Sequence, residues 1–135
     1  MKEEQKFYNR LKYAPFQFKH CNNAVPAYRH TNPDGSIGGW VAETALVEPT
    51  VYIAPDAQVF EYASVKGNAK ILHESYVCEF ATVQDSAVVD DYSMVCGNSF
   101  IHDDAYVGGQ SIIAGDTNIG GYQEVESEII DVTRT

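Results

Sequence analysis

Basic residues are scarce in this chain of 135 residues. Nine Lys and Arg face nineteen Asp and Glu, a formal charge of −10. So acidic a balance excludes a nucleic-acid or anionic-membrane binder that works by bulk charge. Cysteine is scarce too: Cys21, Cys78 and Cys96 are few and odd in number, which argues against a disulfide framework and for a reducing, cytoplasmic interior. Long apolar runs are missing. Nothing approaches the roughly 18 residues of a membrane span, and the opening Met1-Lys2-Glu3-Glu4-Gln5-Lys6 is not followed by the apolar stretch of a signal peptide. What is present is a hydrophobic fraction of 44% with 12% aromatics, enough for the core of one folded domain.

The charge is divided along the chain. Residues 1–40 hold six of the nine basic groups and three acids, a balance of +3, so the remainder carries −13. The same boundary separates two kinds of pattern. From Val41 onward every sixth residue is Val or Ile: Val41, Val47, Ile53, Val59, Val65, Ile71, Val77, Val83, Val89, Val95, Ile101, Val107, Ile113, Ile119 and Val125, fifteen without an insertion. Four residues after most of these stands a small side chain, such as Ala45, Ala57, Ser75, Ser93 or Thr117. Turn formers lie between them, as in Pro55-Asp56, Gly67-Asn68 and Gly97-Asn98. A branched aliphatic followed by turn residues and a small residue reads as a very short strand plus a corner.

This repeat, over about residues 41–126, resembles the hexapeptide-repeat proteins. The resemblance implies an all-β fold, a left-handed parallel β-helix of about five triangular coils with three hexads per coil. Three regions follow: 1–40, a basic and aromatic N-terminal segment packing on or leading into the solenoid; 41–126, the β-helix; and 127–135, a tail capping the last coil. Phe7, Leu11 and Ala14 follow helical spacing up to Pro15, so the N-terminal segment is expected to be partly helical, with Phe16 and Phe18 alternating after it.

Residues 18 apart stack in such a coil. The first face then carries Trp40, Tyr76, Met94 and Ile112 in one outward column and Phe60, Cys78 and Cys96 in the other. An apolar face of this kind must be covered, either by the first 30 residues or by a second copy of the chain in a homo-oligomer, a dimer or trimer. Cys78 and Cys96, one coil apart, are expected as buried or interface thiols rather than a disulfide. The corners hold the acids: Glu43, Glu61 and Glu79 share a ridge with Tyr62 and Phe80 beside them, and Asp85, Asp103 and Asp104 share the next. Three readings stand for these ridges: solvated edges that keep the stack soluble, a surface for a basic protein partner, or divalent-ion binding.

Many hexapeptide-repeat proteins are trimeric acyltransferases, and that resemblance implies an acetyl-CoA or other acyl-CoA donor between prisms and a histidine base. The candidates are His102, next to Asp103-Asp104, and His73 at a corner. A projecting loop usually accompanies such a base, and here the phase never breaks. No three-histidine metal set or phosphate-binding glycine loop is found, so no metal or cofactor is expected. The stretch Gly38-Gly39-Trp40-Val41, followed by Ala42-Glu43, is similar to that of phage and enterobacterial acetyltransferase-like β-helix proteins. For a phage-encoded chain the location implied is the host cytoplasm. The expectation drawn is a non-catalytic acidic β-helix that binds a basic protein, such as a phage-type inhibitor or decoy of a nucleic-acid-binding protein, with neither nucleic acid nor membrane as a direct partner. The acyltransferase is the alternative.

Overall fold

A computed structural model describes residues 13–133. It is a parallel β-solenoid of about five turns, and every described regular element is a strand. Coil by coil, the first face receives β3 (Ile37–Ala42), β6 (Gln58–Val59), β9 (Tyr76–Val77), β12 (Met94–Val95) and β15 (Ile112–Gly115). The second face is built from β4 (Leu46–Val47), β7 (Ser64–Val65), β10 (Thr82–Val83), β13 (Phe100–Ile101) and β16 (Asn118–Ile119). The third consists of β5 (Tyr52–Ile53), β8 (Lys70–Ile71), β11 (Val88–Val89), β14 (Tyr106–Gly108) and β17 (Glu124–Glu126). Within each face the strands are parallel, and residue i pairs with i+18, as in Val59 with Val77 and Val77 with Val95. A corner every six residues leaves room for only two or three residues of strand, so the ladder rather than strand length supplies the order.

Fourteen of the fifteen periodic Val and Ile residues are buried, and Val47, near the open start of the stack, is partly so. The small residues fill the inner corners, where a larger side chain has no room. At the third corner they are Ala57 and then serines, and the hydroxyl oxygens of Ser75 and Ser93 accept the backbone N–H one coil on, from Ser93 (3.3 Å) and Ser111 (3.1 Å).

The corners follow a rule. From Glu61 to Ser127, the second residue after each inward aliphatic has a positive φ, twelve times in succession, and only five of the twelve are glycine. At the third corner the next residue is left-handed as well, at Glu74, Tyr92 and Gln110. A non-glycine residue in this region is disfavoured by roughly 1–3 kcal/mol. Side-chain hydrogen bonds at the corners offset part of that cost. Glu61 and Glu79 accept the backbone N–H of Glu79 (3.0 Å) and Gly97 (2.8 Å). Asp85 and Asp103 do the same for Asp103 (3.0 Å) and Gly121 (2.9 Å).

The expected partial helix falls mostly outside the described residues, and only Ala14 of its spaced positions is described. Ala14 lies in β1 (Ala14–Phe16), which pairs antiparallel with β2 (Val25–Thr31), and β2 pairs antiparallel with β3. Pro15 and the Phe16/Phe18 alternation suit this extended course; Phe7 and Leu11 lie outside the described residues. Two side chains at the end of the β2–β3 hairpin close the first coil. Buried Asn32 accepts the Ile53 N–H through Oδ1 (2.8 Å) and donates from Nδ2 to the Ile53 carbonyl (3.1 Å), standing in for a strand that is not there. Buried His30 places Nε2 2.6 Å from the Val51 carbonyl oxygen. The hairpin sits so close that a Cβ on Gly39 would lie 1.9 Å from the Ala57 carbonyl oxygen, which explains the glycine at that place.

At the other end the tail adds β18 (Ile129–Val132) to the first face beside β15. Here the step is 17 residues, Ile113 pairing with Ile130. A strict period of 18 would turn Asp131 inward. Dropping one residue at the corner places Ile130 against the core instead.

Candidate interaction surface

Part of the apolar first face is covered by the chain itself. Phe16 stacks on Trp40 with ring centroids 4.6 Å apart, and Phe18 stacks on Phe60 at 5.0 Å. Arg29 lies over the Trp40 ring, 5.5 Å from its centroid, and donates from Nε to the Gly38 carbonyl (2.7 Å). Phe18, Ala27, Ala42, Phe60 and Cys78 form a second buried cluster, with Trp40, Tyr76, Met94 and Cys96 at its margin. Cover thins toward the later coils: Ile112 is exposed and Ile129 is 78% exposed. Cys21, Cys78 and Cys96 are free thiols. A hydrogen bond to Cys96, together with burial, pushes the Cys78 thiol far above its ordinary range.

Glu43, Glu61, Tyr62, Glu79 and Phe80 come together on the ridge between the first and second faces, all exposed. Tyr62 and Phe80 stack nearly parallel, 5.4 Å apart and 8° from coplanar, while remaining 61% and 62% exposed. Beside them lies a groove of about 540 Å³ between this ridge and the N-terminal segment. The next ridge brings Asp85, Asp103 and Asp104 around a shallower, polar depression with Tyr122, which is 85% exposed. The Gly121 N–H holds the Asp103 carboxyl below its ordinary range.

The two histidine candidates stand apart, His102 beside the second face and His73 at the corner after the third. The His102 ring stacks on Phe100 (4.3 Å); its Nε2 lies 2.7 Å from Asn118 Oδ1 and its Nδ1 3.2 Å from Asp103 Oδ2. Both ring nitrogens thus face side-chain oxygens of the chain itself. Gly120 makes room for this ring, since a Cβ there would fall 2.3 Å from it. His73 sits on an exposed corner with Nδ1 2.5 Å from Asp90 Oδ1, and that hydrogen bond raises its pKa. Between Val41 and Val125 no connection between strands exceeds four residues, so no projecting loop accompanies either ring.

The fold assembles two groups: His102 with Asp85 and Asp103, whose neighbourhood the sequence spacing indicates, and His73 with Asp90 and Asp91, which it does not join. Both stand on open corners. Their members already bond one another or turn amides, as Asp90 does with the Asp91 N–H (2.8 Å). The Tyr106 hydroxyl reaches Asp90 and Asp91 at 3.4 Å; burial and these carboxylates push it up to about 12. The capping pair His30 and Asn32 also escaped the sequence pattern, because each is a single polar residue with no repeat to mark it.

Fold and surface together define an acidic parallel β-solenoid with one partly self-covered apolar face and one aromatic, acidic ridge. No protein-family model, curated protein or solved structure matches the chain. Among the described residues no helix is long and apolar enough to cross a membrane.

Proposed function

We propose that this chain is a non-catalytic, hexapeptide-repeat β-helix of the cytoplasm that binds a protein partner with a basic surface, as an inhibitor or decoy of a nucleic-acid-binding protein does. The observation that carries the reading is the exposed Tyr62–Phe80 stack set among Glu43, Glu61 and Glu79. Large rigid aromatics at a surface supply contact area at little entropic cost, and the surrounding carboxylates select a cationic counterpart and speed its approach. The resemblance in the repeat and the six-residue period support the family assignment. The uncovered part of the first face, around Ile112 and Ile129, is the surface on which a homo-oligomer would form.

Calorimetric titration against a panel of basic nucleic-acid-binding proteins tests this. Binding that weakens with added salt and weakens further in Glu61→Lys and Asp104→Lys is the expected result. Binding of acetyl-CoA that is lost in His102→Ala overturns the reading in favour of an acyltransferase.

A further inference from the structure

The groove beside the aromatic ridge has the chemistry of a receptor for one side chain. Its base includes Phe18 and Phe60, both buried, and its walls include Glu43, Glu61 and Tyr62. An apolar base suits a methylene stem, carboxylates suit a cation, and an exposed aromatic face suits a planar one. Phe80 occupies one side of Tyr62 but does not line the groove, whereas Thr44, one coil before Tyr62, does. The groove therefore opens on the side of the Tyr62 ring away from its stacking partner.

Glu43 separates this place from the rest of the ridge. Glu61 and Glu79 are bound to the turn amides of the coil above through Oε1. By the same rule Glu43 would accept the Glu61 N–H. Instead the Thr44 hydroxyl hydrogen-bonds to the Glu61 carbonyl, and among the described residues the exposed Glu43 carboxylate receives no hydrogen bond. The groove thus has one carboxylate with no role in holding the coils. Among the described residues no lysine or arginine lines it. The chain itself shows the matching chemistry on the same face, where Arg29 lies over Trp40 and donates to main-chain carbonyls.

We infer that the groove between the N-terminal segment and the first ridge receives an arginine side chain of the partner protein, its guanidinium between Glu43 and Glu61 and over Tyr62. This rests on the basic-partner reading and adds to it a preference for arginine over lysine at a named place.

The test uses two labelled peptides of equal length and charge, one arginine-rich and one lysine-rich, titrated by fluorescence anisotropy at low and moderate salt. The full chain is expected to bind the arginine peptide about two- to fivefold more tightly. Tyr62→Ala is expected to abolish that preference, and Glu43→Gln to weaken the arginine peptide more than Glu124→Gln, a charge change on the third face. Circular dichroism confirms that the variants keep the fold. If both peptides bind equally well, or if Tyr62→Ala and Glu43→Gln behave like Glu124→Gln, the groove assignment fails while the basic-partner reading stands. If neither peptide binds, both are overturned.

Discussion

Phe18 lies face to face with Phe60, centroids 5.0 Å apart and planes 17° from parallel, and both rings are buried. A residue ahead of the repeat thereby covers the first face of the second coil. Truncating a buried aromatic costs about 3–5 kcal/mol where the site cannot collapse. Phe18→Ala is expected to lower stability by about 3 kcal/mol in urea titration. Hydrogen exchange should quicken first in β1 and β2, with the amides of β12 and β13 still protected. Equal loss of protection in all coils would contradict a covering role confined to the early turns.

Asn32 predicts a sharper effect. Replacing it by Ala leaves the Ile53 N–H and carbonyl without their side-chain partner at a buried edge, for a cost of roughly 1–3 kcal/mol. Asn32→Asp keeps the acceptor but removes the donor and puts a carboxylate against a carbonyl, so it should destabilise at least as much. Thermal unfolding of the two variants, measured at neutral pH, checks the order.

His73 gives a pH dependence whose sign is fixed. Its partner Asp90 raises the folded pKa, so the favourable term is fully present below the unfolded value of about 6.5 and disappears as pH rises through the raised folded value. The ring is exposed and the pair is screened, so the effect on unfolding is expected to be small. His73→Gln should therefore differ from the parent chain in mildly acid solution and match it above the folded pKa. The imidazole shift followed by NMR should titrate above its ordinary value in the parent and return toward it in Asp90→Asn.

The repeat was legible because it is redundant. Fifteen aliphatics in phase report one geometry fifteen times, and the inward positions, the faces and the stacking of Tyr62 on Phe80 all follow from counting by six and eighteen. Features that occur once were not legible. Ala14 matched a helical spacing, yet β2 offered an edge and Pro15 suits an extended course. The one-residue contraction before Ile130 is invisible to a period already ended at Val125. The corner acids were visible as charge, whereas their acceptance of turn amides depends on left-handed backbone that residue identity alone does not announce at Glu61 or Asp85.

Because the corner carboxylates of Glu61, Glu79, Asp85 and Asp103 each address an amide 18 residues on, the molecule is assembled in interchangeable units and its height can change only in whole steps. Removing Asp85–His102 joins Gln84 to Asp103, which replaces one left-handed aspartate by another and leaves every inward residue in phase. The shortened chain is expected to fold as a stack lower by about 5 Å, measurable by small-angle scattering, with reduced stability. Removing 17 residues instead should prevent folding, since every later side chain would then face the wrong way. Length variation in such a chain is counted in coils, and the cap made by His30 and Asn32 fixes the end from which the count starts.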